Sequence, residues 1–364
     1  MKRLLHEIGR NPLLWGLVFV PVLFACHSLK PDSHTLLFIL SVLAVIPLAA
    51  LLSLATESVA HRTGDAVGGL LNATLGNLTE LVIALAALHS GQYMLVKASI
   101  AGAIVANTLF MLGASFLLGG LKYHVQDYNR LNARFQAGLL FLATVALLIP
   151  SAVGEADSEV NTAFTQKLSV GMSVLLLVTY GLGLLFSLKT HRELFAVAES
   201  TEAREAPLPI GVALGTLGLV TVLVALVSEV FVDSVQQAAL TFGMTPAFVG
   251  FIVVALVGGA AEMGSAFSGA RKNRLDLSVG IALGSASQIA LFVAPVLVLL
   301  SYLLGPQPMD LVFWPGAVVM MLIATMAAAL VTSSGRSTWF VGVFVLMVYL
   351  VFAMTLYLLP PRAN

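Results

Sequence analysis

Two short stretches of the sequence resemble each other: Gly76-Asn77-Leu78-Thr79-Glu80 in the first half of the chain and Gly258-Gly259-Ala260-Ala261-Glu262 in the second. The offset between them also separates Gly102 from Gly284, so each glutamate is followed by a glycine at the same spacing. An offset of about half the chain, repeated at several positions, indicates that the chain contains two copies of one structural unit. Each copy places a glutamate inside a long apolar run, and this pattern indicates a helical membrane protein with two repeats.

The composition of the whole chain is that of a membrane protein. Of its 364 residues, 59% are hydrophobic and 10% are charged, and the mean hydropathy is +0.98. A soluble domain averages about 25% charged residues, so this chain has too few polar groups to cover a soluble surface. The net charge of 0 gives no basic excess for nucleic acid, and a single cysteine, Cys26, excludes a disulfide framework or a cysteine-based metal site. The apolar runs are continuous rather than alternating, so we expect an all-α polytopic protein in the lipid bilayer.

Eleven apolar runs are long enough to be membrane-spanning helices, because a helix needs about 20 apolar residues to cross the hydrocarbon. The predicted spans are 12–28, 35–55, 66–89, 93–119, 132–153, 166–187, 209–232, 245–268, 276–304, 310–332 and 337–359. One leading helix then precedes two sets of five, and an odd number of helices per set places the second copy upside down. This is the inverted-repeat plan of secondary transporters. The predicted segments are 1–34 (N-terminal segment and first helix), 35–188 (first five-helix repeat), 189–208 (charged cytoplasmic linker) and 209–364 (second five-helix repeat).

The distribution of positive charge predicts how the chain is oriented. With alternating loops, 14 of the 18 Lys and Arg residues lie on the side of the N-terminus and 4 on the other. Cytoplasmic loops carry the excess of Lys and Arg, so we expect a cytoplasmic N-terminus and an external C-terminus in a bacterial inner membrane. The start of the chain, with Lys2, Arg3 and an apolar run ending at Cys26, is also compatible with a lipoprotein signal, although Phe24 fits that pattern poorly.

Glu80 and Glu262 are the only carboxylates predicted to lie well inside a span, and the other sixteen fall in loops or near helix ends. An acid within the membrane costs about 2.5–3.5 kcal/mol on insertion scales. No Lys or Arg lies inside a predicted span to pair with either acid, which indicates a cation or protons as the counter-charge. The alternative is a protonated acid that only joins helices by hydrogen bonding. The glycines one turn earlier either let helices pack closely or break the helix and free carbonyl groups.

These motifs closely resemble those of the calcium/cation–proton antiporters (CAX-type). Residues 68–81, GGLLNATLGNLTEL, resemble the first signature repeat of that family, and residues 276–293, DLSVGIALGSASQIALFV, resemble the segment that follows the second. The resemblance covers nearly the whole chain and implies exchange of cytoplasmic Ca²⁺ for protons by alternating access. It also implies a metal site built from both repeat glutamates and from neighbouring polar side chains. The implied ligands are Glu80, Glu262, Asn77, Asn107, Ser285 and Gln288.

The chain departs from the family in its second signature, which usually reads Gly-Asn-x-x-Glu-His. Here Gly259 stands in place of the asparagine and Met263 in place of the histidine. Ala103 also occupies the position equivalent to Ser285, where the family often has serine. The site therefore offers fewer side-chain oxygens, and Na⁺/H⁺ or K⁺/H⁺ exchange stays open as an alternative. The linker either binds a regulatory cation, as its counterpart in the family can, or is simply solvated.

Two other classes of function are less compatible with the sequence. A cation channel needs a continuous polar pore, whereas the polar groups here cluster at midspan. A membrane enzyme is disfavoured because neither His-Glu-x-x-His nor Gly-x-Ser-x-Gly occurs. We expect Ca²⁺ and protons as substrates and no cofactor. A homo-oligomer is compatible with the sequence, which does not fix the oligomeric state.

Overall fold

The computed structural model describes residues 2–63, 65–156, 162–191 and 207–358. Residues 192–206 of the predicted linker and the C-terminal Asn364 lie outside the described residues. The helices are α1 (Lys2–Arg10), α2 (Pro12–Leu29), α3 (His34–Arg62), α4 (Asp65–Leu75), α5 (Leu78–His89), α6 (Tyr93–Tyr123), α7 (Arg130–Ala156), α8 (Ala163–Thr190), α9 (Ile210–Thr241), α10 (Pro246–Gly258), α11 (Ala260–Arg271), α12 (Leu275–Leu304), α13 (Pro315–Val331) and α14 (Trp339–Leu358). Strands β1 (Val125–Asp127) and β2 (Arg336–Thr338) pair antiparallel, with Gln126 opposite Ser337.

The described part of the chain contains eight helices that are long and apolar enough to cross a membrane. These are α2, α3, α6, α7, α8, α9, α12 and α14. The pairs α4–α5 and α10–α11 each pass the same test together, which brings the number to ten. Helix α13 has 17 residues, or about 25 Å at 1.5 Å per residue, and is shorter than the hydrocarbon thickness of about 30 Å. The all-α polytopic fold is confirmed, and the eleventh span stays a prediction.

The two glutamate motifs coincide with breaks between helices. The chain bends by 43° between α4 and α5, at Gly76 and Asn77, and by 59° between α10 and α11, at Gly259. Glycine is about 1 kcal/mol less favourable than alanine inside a helix, so these positions are where a helix breaks most easily. The break predicted as one role of these glycines is therefore present in both copies.

The two halves of the chain pack directly against each other. Helices α3 and α9 lie side by side, and the rings of Phe38 and Phe231 stack with their centroids 5.5 Å apart. Helix α6 lies against α10, where a Cβ atom on Gly102 would overlap the carbonyl oxygen of Phe251. The absence of a side chain at Gly102 therefore allows the two backbones to touch.

Both α6 and α12 also widen into a π-helical turn at equivalent positions, Ala106–Met111 and Ile289–Val293.

Helix α9 differs from the prediction because it continues to Thr241, nine residues past the expected end of its span. Asp233, which lies past the predicted end, is therefore within the helix, and both Asp233 and Glu229 are exposed. The helix has 32 residues and is about 48 Å long, so it extends well beyond the hydrocarbon, and both acids lie in its second half. Their exposure distinguishes them from the glutamates at the two breaks.

Candidate functional site

The two repeat glutamates occupy the same local position. Glu80 is the third residue of α5 and Glu262 is the third residue of α11, so each lies in the first turn after a break. The first N–H groups of a helix have no partner within it, and the N-terminus carries a partial positive charge. Each break therefore presents a helix N-terminus beside its own carboxyl group.

Each carboxyl group reaches the break of the other repeat. A Cβ atom on Gly258 would lie 3.0 Å from Cγ and 3.5 Å from Oε1 of Glu80. In the reverse direction, a Cβ atom on Gly76 would lie 3.9 Å from Oε1 of Glu262. The two acids and the two breaks therefore form one site at the interface between the repeats. The lack of side chains at these glycines is what allows the carboxyl groups to approach the opposite backbone.

Ser285 joins the two repeats through hydrogen bonds. Its hydroxyl donates to Oδ1 of Asn77 at 2.6 Å and accepts from Nδ2 of Asn107 at 3.1 Å. The same hydroxyl also contacts Oε2 of Glu262. A serine hydroxyl has a single hydrogen to donate, and the Asn77 oxygen can only accept. All three contacts are hydrogen bonds at once when Glu262 is protonated and donates to Ser285.

The two acids are more exposed to solvent than the neutral side chains around them. The side chains of Asn77, Asn107, Ser285 and Gln288 are buried, whereas both glutamates stay partly exposed. Oε1 of Gln288 would lie 3.4 Å from a Cβ atom on Gly76, so it approaches the same point as Oε1 of Glu262. The amide nitrogens of Asn77 and Gln288 are buried and have no hydrogen-bond partner among the described residues. The structure thus brings all six predicted residues together, and their oxygens are the ligand type that a hard cation such as Ca²⁺ prefers.

A family model described as "Sodium/calcium exchanger protein" matches the chain twice, over residues 33–189 and 212–358. The two matches lie in the two halves of the chain and together cover most of it. The chain belongs to this family. Each half contributes one of the acids described above, so the family assignment and the paired geometry agree.

Similar proteins include members of this family whose names state what they exchange. A Ca²⁺/H⁺ antiporter of Aphanothece halophytica is 39% identical over 368 residues, covering 97% of this chain and 98% of the relative. The Ca²⁺/H⁺ antiporter ChaA of Bacillus subtilis is 40% identical over 336 residues, covering 91% and 95%. The crystal structure of the Ca²⁺/H⁺ antiporter protein YfkE superposes with a TM-score of 0.81 at 34% identity, covering 96% and 100%.

The two departures from the exchanger signature lie beside each other, and one of them lies beside Glu80. A Cβ atom on Gly259 would be 3.6 Å from Oε1 of Glu80 and 3.4 Å from Cε of Met263. The position where the signature has asparagine therefore faces a carboxyl group of the site. In this chain, that side of the site is lined by a glycine and a buried thioether instead of an amide and an imidazole.

Two residues near the site were not predicted from the sequence. The hydroxyl of Tyr180 on α8 donates to the carbonyl oxygen of Ala73, close to the break, at 2.6 Å. On α7, Oε1 of Gln136 is buried with no hydrogen-bond partner in the described part of the chain, and it would lie 3.5 Å from a Cβ atom on Gly284. Both contacts join residues that are far apart in the chain. No local pattern in the sequence indicates them.

A small polar pocket lies between α7 and α12, on the same side as Gln136. Its walls include Asn132, Gln136, Asp276 and Gly280. On α12, residues 276, 280, 284 and 288 follow one another every four positions, so they share one face of the helix. That face connects the polar pocket to Gln288 in the site.

Proposed function

We propose that the protein is a secondary active transporter that exchanges Ca²⁺ for protons at the site formed by Glu80 and Glu262. The observation that carries the proposal is the crossed arrangement of these acids, each of which approaches the break of the other repeat. The exchange of these two ions is supported by relatives named Ca²⁺/H⁺ antiporters at about 40% identity. The protein is a transporter and not an enzyme, and its ions are substrates rather than cofactors.

The two acids are shared between the substrates. Without a cation, the hydrogen bonds around Ser285 are complete when Glu262 carries a proton. A divalent cation favours the ionised forms and displaces the protons. Ca²⁺ takes six to eight oxygen ligands. Glu80, Glu262, Asn77, Asn107, Ser285 and Gln288 would supply side-chain ligands, and backbone carbonyls at the breaks or water would complete the shell.

The direction of transport follows from the proposed topology. The distribution of 14 against 4 positive residues supports a cytoplasmic N-terminus and linker, a C-terminus outside, and export of Ca²⁺ across a bacterial plasma membrane. The linker at 189–208 would then join one repeat at 35–188 to the other at 209–364, after the leading segment 1–34. A reporter that is active only in the cytoplasm should be inactive when it is fused after Asn364, and activity there would overturn this topology.

The polar face of α12 supports a cytoplasmic route to the site. In the proposed topology Asp276 lies at the cytoplasmic end of α12, and residues 276, 280, 284 and 288 form one face that ends at Gln288. A hydrated cation moving along this face would pass Asn132 and Gln136 before it reaches Glu262. The partial exposure of both glutamates is consistent with an approach from this direction.

A monovalent cation is the second candidate substrate, and one observation favours it. Gly259 offers no side-chain oxygen beside Glu80, and its neighbour Met263 offers none either, which leaves this side of the site poorer in ligands than the first repeat. A channel is less compatible with the packing, because the contact of Gly102 with Phe251 closes the interface between α6 and α10. Exchange of Na⁺ or K⁺ for protons would use the same two acids.

Transport by sealed vesicles tests the proposed function. Inside-out vesicles that contain the protein are given a proton gradient, and radioactive Ca²⁺, Na⁺ or K⁺ is added as the ion that dissipates it. We expect Ca²⁺ to dissipate the gradient and to accumulate in the vesicles, whereas vesicles with a Glu80→Gln/Glu262→Gln double variant should do neither. Dissipation by Na⁺ or K⁺ and not by Ca²⁺ would replace the proposed substrate with a monovalent cation.

A further inference from the structure

The first halves of the two broken helices lie in different positions relative to the opposite repeat. Helix α10 is packed tightly on α6, where Cβ atoms on Gly102 and Gly250 would collide with Phe251 and Ala98. The equivalent surface of α12 is not covered by α4. Among the described residues, and apart from the backbone of α12 itself, the single heavy atom within 4 Å of a Cβ on Gly284 is Oε1 of Gln136, on α7. One half-helix is therefore closed against its partner, and the other is displaced from it.

A pair of tyrosines occupies equivalent places in the two repeats. The ring of Tyr180, on α8, lies 5.3 Å from that of Phe292 in the π-helical turn of α12. The ring of Tyr349, on α14, lies 5.2 Å from that of Phe110 in the π-helical turn of α6. Phe110 and Phe292 are separated by the same offset as the two glutamate motifs. Each tyrosine thus belongs to the last helix of one repeat and contacts the same turn of the other.

The hydroxyl groups of these tyrosines are bonded differently. In an unbroken helix the carbonyl of Ala73 would accept from the N–H of Asn77, but α4 ends at Leu75 and Tyr180 donates to Ala73 at 2.6 Å. Ala255 is the equivalent residue in the second repeat, and its carbonyl accepts from the N–H of Gly259 at 3.2 Å. The Tyr349 side chain is 3% exposed, and its hydroxyl has no partner in the described structure.

Tyr349 and Ala255 lie at a similar depth along helices α14 and α10. Near one end of both helices, the rings of Phe248 on α10 and Tyr357 on α14 are 5.4 Å apart. Ala255 lies seven residues further along α10, and Tyr349 lies eight residues back along α14. At 1.5 Å per residue both steps cover about 11 Å in the same direction, because the two helices run antiparallel in the predicted topology. The carbonyl of Ala255 and the unpartnered hydroxyl of Tyr349 therefore lie at a similar depth along these two helices.

We propose that Tyr180 and Tyr349 are positioning residues that act in turn, each holding the first half of the broken helix of its own repeat in the displaced position. This inference rests on the proposed function, because alternating access requires the two repeats to exchange roles. In the present state Tyr180 binds Ala73 and α4 is displaced. In the opposite state α4 closes on α12, α10 moves away from α6, Tyr349 donates to Ala255, and Tyr180 releases Ala73.

The test removes each hydroxyl while it keeps the ring. Tyr180→Phe loses a hydrogen bond of the present state, and Tyr349→Phe loses one of the opposite state. The readout is the ratio of the apparent KM values for the cation on the two sides, measured in inside-out and right-side-out vesicles. Apparent affinity on each side scales with the fraction of transporters open to it, so this ratio follows the balance of states. The net free energy that one hydrogen bond contributes corresponds to a change of about two- to tenfold in this KM ratio.

We expect the two variants to change the KM ratio in opposite directions, with a double variant close to the unmodified protein. In the predicted topology, Tyr180→Phe raises the cytoplasmic KM relative to the external one. Tyr302→Phe is the control, because Tyr302 is 48% exposed on α12. A purely structural role would reduce the amount of active transporter and leave the ratio unchanged.

The proposal is overturned if both folded variants change the ratio in the same direction, or if neither changes it by about twofold. Failure of the proposed function is seen separately, in the unmodified protein, as an absence of Ca²⁺-driven proton movement. In that case the same ratio is measured with whichever of Na⁺ or K⁺ dissipates the gradient. The substrate and the tyrosine pair are therefore tested independently.

Discussion

The two repeats differ in two ways that have different physical meanings. One difference is conformational: the break is bent by 43° in the first repeat and by 59° in the second, and among the described residues only the first repeat has its tyrosine bonded to the helix before the break. The other difference is chemical, because Asn77 stands where the second repeat has Gly259. During alternating access the two repeats can exchange conformations, so the conformational difference is reversible. The residues themselves stay the same, so the chemical difference is the one that can set ion selectivity.

The largest effect is expected from the feature that the repeats share. Glu80→Gln and Glu262→Gln should each reduce exchange to background while the protein still folds, because glutamine keeps the shape of the side chain but can neither balance the charge of Ca²⁺ nor release a proton. Proton movement driven by Ca²⁺ in vesicles, together with size-exclusion profiles in detergent, measures both properties.

The matched control for the acid variants is Glu229→Gln, which removes an exposed carboxylate from helix α9. This variant should exchange Ca²⁺ at the rate of the unmodified protein. If either site variant kept near-normal exchange, the two repeats would not contribute equally, and the proposed two-acid site would be wrong.

The conformational difference can be tested at the paired glycines. Gly284→Ala adds a methyl group where the structure has room, with its nearest neighbour at 3.5 Å, but this surface must accept α4 in the opposite state. The variant should therefore favour the present state. Gly102→Ala places a methyl group against the backbone of Phe251 and should disfavour it. Overpacking of this kind costs about 1–3 kcal/mol, or roughly a 5- to 150-fold change in the balance of states.

Both glycine variants should slow exchange, and the ratio of the KM values on the two sides should change in opposite directions. Gly218→Ala on helix α9 is the control, because a Cβ atom there would meet no described residue within 4 Å. If Gly102→Ala and Gly284→Ala changed the KM ratio in the same direction, the α6 surface at Gly102 and the α12 surface at Gly284 would not close in turn.

The residues that carry charge could be predicted from the sequence, and the difference between the repeats could not. Glu80 and Glu262 stand out because a carboxylate within an apolar run is rare, and the glycines before them indicate the breaks. The contact of Tyr180 with Ala73 joins residues 107 positions apart. Tyr180 and Tyr349 are not separated by the offset that relates the glutamate motifs, so a search at that one offset misses the pair. Nor does the sequence state which repeat is displaced, since alternating access requires each to adopt both positions.

The smallest effect is expected where the chemical difference is removed. Gly259 has φ −79° and ψ 6°, a conformation that asparagine adopts readily, and the new side chain would start 3.6 Å from Oε1 of Glu80. Gly259→Asn should supply the neutral oxygen that Asn77 offers in the first repeat. A neutral ligand that contributes about 1 kcal/mol of binding free energy corresponds to a decrease of about fivefold in the apparent KM for Ca²⁺.

Gly259→Ala adds the same Cβ without the amide, so it controls for the tight approach to the carbonyl oxygen of Ala255 at 3.3 Å. If a folded Gly259→Asn protein transported Ca²⁺ no better than the Gly259→Ala control, this position would not face the ion. The sparse ligand set beside Glu80 would then favour a monovalent substrate.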